Sequence, residues 1–107
     1  MRFKVIVGEQ VYAVEVPEDL LCEAAEFHAR LDRDMDRGWQ MGREFVAQPD
    51  RLQRCQIVAD KLLTSITQGN ESTAMLTAGY IALRMPGAIG VDIDVSGEMQ
   101  NTELLYS

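Results

Sequence analysis

Apolar and polar positions alternate from the first residues of the chain. Phe3, Val5 and Val7 fall on one side of an extended segment, and Arg2 and Lys4 on the other. That period of two predicts a strand over residues 2–7. Gly8, Glu9 and Gln10 make a turn. Residues 11–16 then repeat the pattern, with Tyr12, Val14 and Val16 on one face and Glu15 opposite. Two β-branched runs around a glycine-containing turn predict an antiparallel hairpin. A lone hairpin is marginal in water, so another element has to cover its apolar face.

The period lengthens after Pro17. Proline suits a first helical turn, and Glu18 and Asp19 suit the positive end of the helix dipole. Leu20, Leu21, Ala24, Phe27, Leu31 and Met35 then recur at steps of three and four. This predicts one amphipathic helix that ends or bends at Gly38. Its expected solvent face carries Glu23, Glu26, Arg30, Asp32, Arg33, Asp34, Asp36 and Arg37. Residues 38–50 set Trp39, Met41, Phe45 and Val46 among Gly38 and Gly42. They read as a short helical turn, or as a continuation of the first helix across a glycine.

A second helix runs from Asp50 or Arg51 to Thr67, with Leu52, Cys55, Ala59, Leu62 and Ile66 in one stripe. Gly69 stops it, and Asn70 caps a third helix reaching to Met85. That third helix is apolar nearly all round, which places it innermost in the core or at a subunit interface. Pro86 and Gly87 end it. Ile89, Val91, Ile93 and Val95 then alternate with Gly90, Asp92 and Asp94, the cleanest strand signal in the chain. The pattern therefore predicts an α+β fold. The N-terminal hairpin and a C-terminal strand form a small antiparallel or mixed sheet, packed on one face against about three helices. Residues 1–97 make a single domain, and 98–107 a C-terminal tail with room for a short edge strand at 103–106.

The chain has 107 residues, of which 47% are hydrophobic and 25% charged, enough for one core without staples. Seventeen acids against ten bases give a net charge of −7. Residues 17–37 and 69–107 contribute −4 each, while 38–68 carry +1 and 1–16 sum to zero. Sparse, scattered bases argue against a nucleic-acid partner and against an anionic membrane. No apolar run approaches the ~20 residues of a membrane-spanning helix. A strand pattern where a secretory leader would be apolar predicts a cytoplasmic protein. Cys22 and Cys55, both within apolar helical patterns, are then expected to be reduced and buried.

Candidate chemistry is sparse. Asp32, Asp34 and Asp36 ahead of Gly38 look like a calcium loop, but glycine stands at the seventh place and Arg43 at the twelfth. Such a loop needs glycine at the sixth and glutamate at the twelfth. His28 is the sole histidine and belongs to no metal or nucleophile spacing. Gly87 and Gly90 lead from helix to strand, the reverse of a phosphate-cradling loop. Asp92, Asp94 and Glu98 support an alternative reading, a carboxylate-based metal-binding protein or enzyme. The solvent side of a half-buried strand explains Asp92 and Asp94 more simply. Trp39, Met41, Arg43 and Phe45 are the candidate partner-binding residues. Tryptophan, methionine and arginine are enriched in interface cores, and here they cluster in the one stretch that is net basic. Plugging the end of the core is the competing role for Trp39 and Phe45. Arg43, Arg51, Arg54 and Lys61 make the only basic side on which nucleic-acid binding could rest.

Val5, Ile6, Val7 and Gly8, with Tyr12, Ala13 and Val14, give the first third of the chain a loose resemblance to small accessory proteins of the bacterial cell-division ring, the ZapA type. In that family the aromatic or apolar residue follows the glycine more closely. The apolar third helix and the strand at 89–95 have no counterpart there, so no residue roles carry over. The sequence as a whole leads to a small acidic interaction or regulatory module without catalytic activity. It is expected to be homo-oligomeric, with a protein partner or self-association, no cofactor, and neither nucleic acid nor membrane as its target.

Overall fold

A computed structural model describes residues 1–106, the Cys22 side chain excepted. The expectation for the Cys22 thiol therefore lies outside the described residues. Strands β1 (Arg2–Val7) and β2 (Gln10–Glu15) form the expected hairpin. Gly8, at φ +61°, takes the first central position of its two-residue turn, where a mirror-image turn needs glycine. Helices α1 (Glu18–Glu23) and α2 (Ala25–Met35) follow. Next come β3 (Trp39–Met41) and β4 (Glu44–Val46), α3 (Arg51–Thr67) and α4 (Glu71–Arg84). The chain closes with β5 (Ala88–Ile93), a 3-10 turn at Met99–Asn101, and β6 (Glu103–Tyr106).

The fold is α+β. Four strands make one mixed sheet in the order β2-β1-β5-β6, and β3 with β4 makes a separate two-stranded ribbon. The first and last long strands lie side by side in the middle, and β1 runs parallel to β5. Phe3, Val5, Val14, Val91 and Ile93 turn their side chains into the core, each worth about 1.5–3 kcal/mol of burial. Arg2, Lys4, Ala13, Asp92 and Glu103 face away from it and are exposed. Helix α4 packs on β2, β5 and every other helix, the central place its apolar sequence demands.

Three expectations need correction. The first helix is broken at Ala24, with φ −86° and ψ 2°. No glycine or proline marks the site, so nothing local announces the break. Residues 39–46 are a β-hairpin and neither a helical turn nor an extension of α2. Gly38 and Gly42, at φ +90° and +63°, adopt left-handed conformations that end the helix and make the tight turn. In β5 the alternation slips at a bulge between Ala88 and Gly90. Val91 and Ile93 stay buried, while Ile89 is exposed and Val95 lies beyond the strand's end. Residues 103–106 form the edge strand the tail had room for, paired antiparallel to β5. Gln56 of α3 anchors the approach to it, donating to the Gln100 and Thr102 carbonyls at 3.0 and 3.1 Å.

Glycine at position 90 is a steric requirement of the parallel pair. A Cβ there would lie against the Lys4 carbonyl oxygen and Lys4 Cβ, inside contact distance. Backbone cannot yield as a flexible side chain does, so Gly90→Ala should cost about 2 kcal/mol or more. Urea unfolding, comparing midpoints at unchanged slope, is the check.

Candidate functional site

The densest group of ionisable side chains lies where α2, α3 and α4 meet. Asp32 of α2 accepts hydrogen bonds from Tyr80 Oη at 2.6 Å, from Arg84 Nη2 at 2.8 Å and from Arg54 Nη1 at 3.2 Å. Tyr80 and Arg84 stand four residues apart on α4, hence on one face, and the guanidinium lies 4.6 Å from the tyrosine ring centroid. Arg54 of α3 also donates to Asp36 at 2.7 Å and to the Pro49 carbonyl at 3.0 Å. His28, one turn before Asp32, donates from Nε2 to the Leu76 carbonyl at 3.0 Å and meets Tyr80 edge-on. Gly79 leaves the space that His28 and Leu21 occupy.

The electrostatics follow from these contacts. Burial by itself would raise Asp32, but the hydrogen bonds from Tyr80, Arg84 and Arg54 outweigh it and hold the carboxyl below its ordinary value. Burial depresses His28, against the opposing pull of the Leu76 carbonyl. Tyr80 is raised by burial and by its bond to Asp32. Cys55 nearby is pushed up to about 12 by burial, so its thiol is no nucleophile at neutral pH. Asp32 already accepts three side-chain donors, and among the described residues the cluster lines none of the main concave surfaces. The group works as a lock between helices.

The residues singled out from sequence scatter. Met41 is fully buried. Trp39 is half-buried, with the Lys61 ammonium 4.7 Å from its ring centroid. Arg43 and Phe45 are exposed, Phe45 by 60%, at the turn and outer side of the β3–β4 ribbon. The four thus divide between core and surface. Of the basic side, Arg54 is committed to Asp32 and Asp36, and Lys61 to Trp39. The three C-terminal acids do not converge either. Asp94 Oδ2 accepts from the Ser96 and Glu98 amides, both at 3.0 Å, and from the Ser96 hydroxyl, closing its own loop. Glu98 lies over Gly42, and Asp92 faces solvent. Among the described residues no group of three His, Cys, Asp or Glu is placed to hold a metal ion, and no helix is long and apolar enough to cross a membrane.

One concave surface was not foreseen. A groove of about 500 Å³ runs beside the free edge of β2, walled by the corner where α3 passes into α4. Tyr12 and Val14 form its sheet side, Ile66, Ala74 and Met75 its helical side, and Asn70 and Glu71 one end. The sequence carries both walls, but only the packing of α4 against β2 brings them together. For the Asp32 lock there was a signal: Arg84 is the sole base after residue 69, and a base on an otherwise apolar helix needs an acid.

Removing the lock should be costly but not ruinous. Asp32→Ala leaves Tyr80, Arg54 and Arg84 without their acceptor. It should cost about 2–3 kcal/mol, less than a fully buried pair because the Asp32 side chain is 29% exposed. Equilibrium urea unfolding measures it. Because folding depresses His28, stability should be full above its ordinary 6.5 and fall as pH drops below that, where the unfolded chain takes up the proton first. Asp32, also depressed, adds a second decline below its ordinary 3.8. His28→Gln keeps a donor for Leu76 and should erase the first decline in a pH series of unfolding curves.

Compared with family models, curated proteins and solved structures, the chain matches none, so the division-ring likeness of its first third gains no support from a family match.

Proposed function

We propose that this chain is a small protein-interaction module that works without catalytic chemistry and takes up an extended segment along the free edge of β2. The observation that carries this is the apolar groove lying directly beneath an unpaired strand edge. The reciprocal bonds between Met1 and Val16, 2.7 and 2.9 Å, fix the phase of the hairpin ladder. Residues 10, 12 and 14 bond inward to β1, and Val11, Ala13 and Glu15 turn their N–H and C=O groups outward. An added strand gains main-chain bonds there, and its alternate side chains enter the groove against Val14, Ile66 and Met75. The acidic surface and the internal use of Arg54 and Lys61 support a protein partner over nucleic acid. A cytoplasmic setting belongs to the proposal and rests on the sequence.

The expected homo-oligomer has the same edge to use. Antiparallel pairing about a two-fold axis would put Ala13 opposite Ala13 of a second copy, and Tyr12 opposite its Val14. The exposed Phe45 and Arg43 offer a smaller, separate contact at the ribbon.

Ala13→Pro separates these roles. Its amide takes no part in the β1–β2 ladder, and proline is admitted at a strand edge. The variant should keep its circular dichroism and lose uptake of peptides selected from a random display library on the parent chain. Selected peptides should shift the amide resonances of Val11, Ala13 and Glu15. Peptides that instead shift β3 and β4, or bind the variant equally well, would sink the edge reading.

A further inference from the structure

Resting on that edge reading, we infer that the segment taken up belongs to a different protein and carries basic residues flanking an apolar alternation. The charged side chains along the groove and its edge are Glu15 and Glu71, and no Lys or Arg lines it. Glu71 sits in the first turn of α4, where the dipole favours a negative charge, and makes no ion pair among the described residues. Glu15 has only the exposed, long contacts to Arg2 and the N-terminal amine, at 3.7 and 3.8 Å. Such pairs are worth little, so its carboxylate stays open to a cation on a neighbouring strand.

The position of these acids sets a spacing. Glu15 lies on the sheet face away from the helices, at the last outward-bonding position of β2. Glu71 closes the groove on the helical face. Side chains of an added strand alternate between those two faces. One basic residue beside Glu15 and another reaching Glu71 therefore bracket the apolar residue that enters between Val14 and Met75. A second copy of β2 supplies neither, because Gln10–Glu15 holds no Lys or Arg. Two-fold pairing would put Val11 opposite Glu15 and join two chains of charge −7.

The test uses two blocked eight-residue peptides with the same valine–threonine alternation, one with lysine near each end and one with glutamate. Each is titrated into the isotope-labelled full chain and followed by amide chemical shifts. The lysine peptide should shift residues of β2 and the start of α4, and bind about tenfold more tightly than the glutamate peptide. Glu71→Lys should reduce or reverse that preference, and Glu71→Gln should remove part of it with α4 unstrained. Equal binding of both peptides, unchanged in Glu71→Lys, overturns the charge inference and leaves the edge reading standing. Binding of neither peptide, with shifts absent from β2, overturns both. A stable dimer in light scattering that Ala13→Pro converts to monomer assigns the edge to a second copy and overturns the inference.

Discussion

One carboxylate, Asp32, ties three helices of the fold together. Helices α1 and α2 pack chiefly on α4 and on each other. Besides its buried His28, Leu31 and Met35, α2 is held in place by Asp32, gripped at once by Tyr80 and Arg84 from α4 and by Arg54 from α3. A half-buried acid with one weak partner would be a liability, whereas three donors convert the same burial into a positional constraint. That constraint reaches the groove indirectly. Its helical wall is the α3–α4 corner, and the bridging side chains hold those two helices and α2 as one body. The binding proposed for the β2 edge would therefore rest on a cluster that lines no part of the groove.

Much of the fold was legible, for a physical reason. Phe3, Val5 and Val7, and the stripe of α3, obey the periods that burial on one face imposes, and caps such as Asp50 and Asn70 mark their own helices. The failures came where a residue's neighbour lies far away in sequence. Asp32 shares its spacing with Asp34 and Asp36, and only the partners on α3 and α4 distinguish it from them. The β3–β4 ribbon is masked by its glycines: Gly38 and Gly42 break the apolar pattern as interruptions of a helix would, while their left-handed backbones end α2 and make the turn between the strands. Met41 shows the limit of composition as a guide to interfaces, since a residue type favoured at contact surfaces is here sealed in the core.

The chemistry-bearing residues mostly serve structure. His28 is spent on the Leu76 carbonyl, Asp94 on its own loop, Arg54 on Asp32 and Asp36. What remains uncommitted is backbone: the outward amides and carbonyls of β2 above an apolar trough. Main-chain groups recognise extended conformation more than sequence, so in the proposed edge binding selectivity would have to come from the few side chains around them. Here those side chains are acidic.

The parallel neighbours β1 and β5 come from opposite ends of the chain. During synthesis the hairpin emerges before β5, and its β1 edge stays bare until β5 has been made. Nothing local can close the sheet sooner, because its central pairing is also among its most distant in sequence. Such topology slows folding and prolongs the exposure of strand edges. The nascent protein thus passes through a stage with two vacant edges where the finished sheet leaves β1 none.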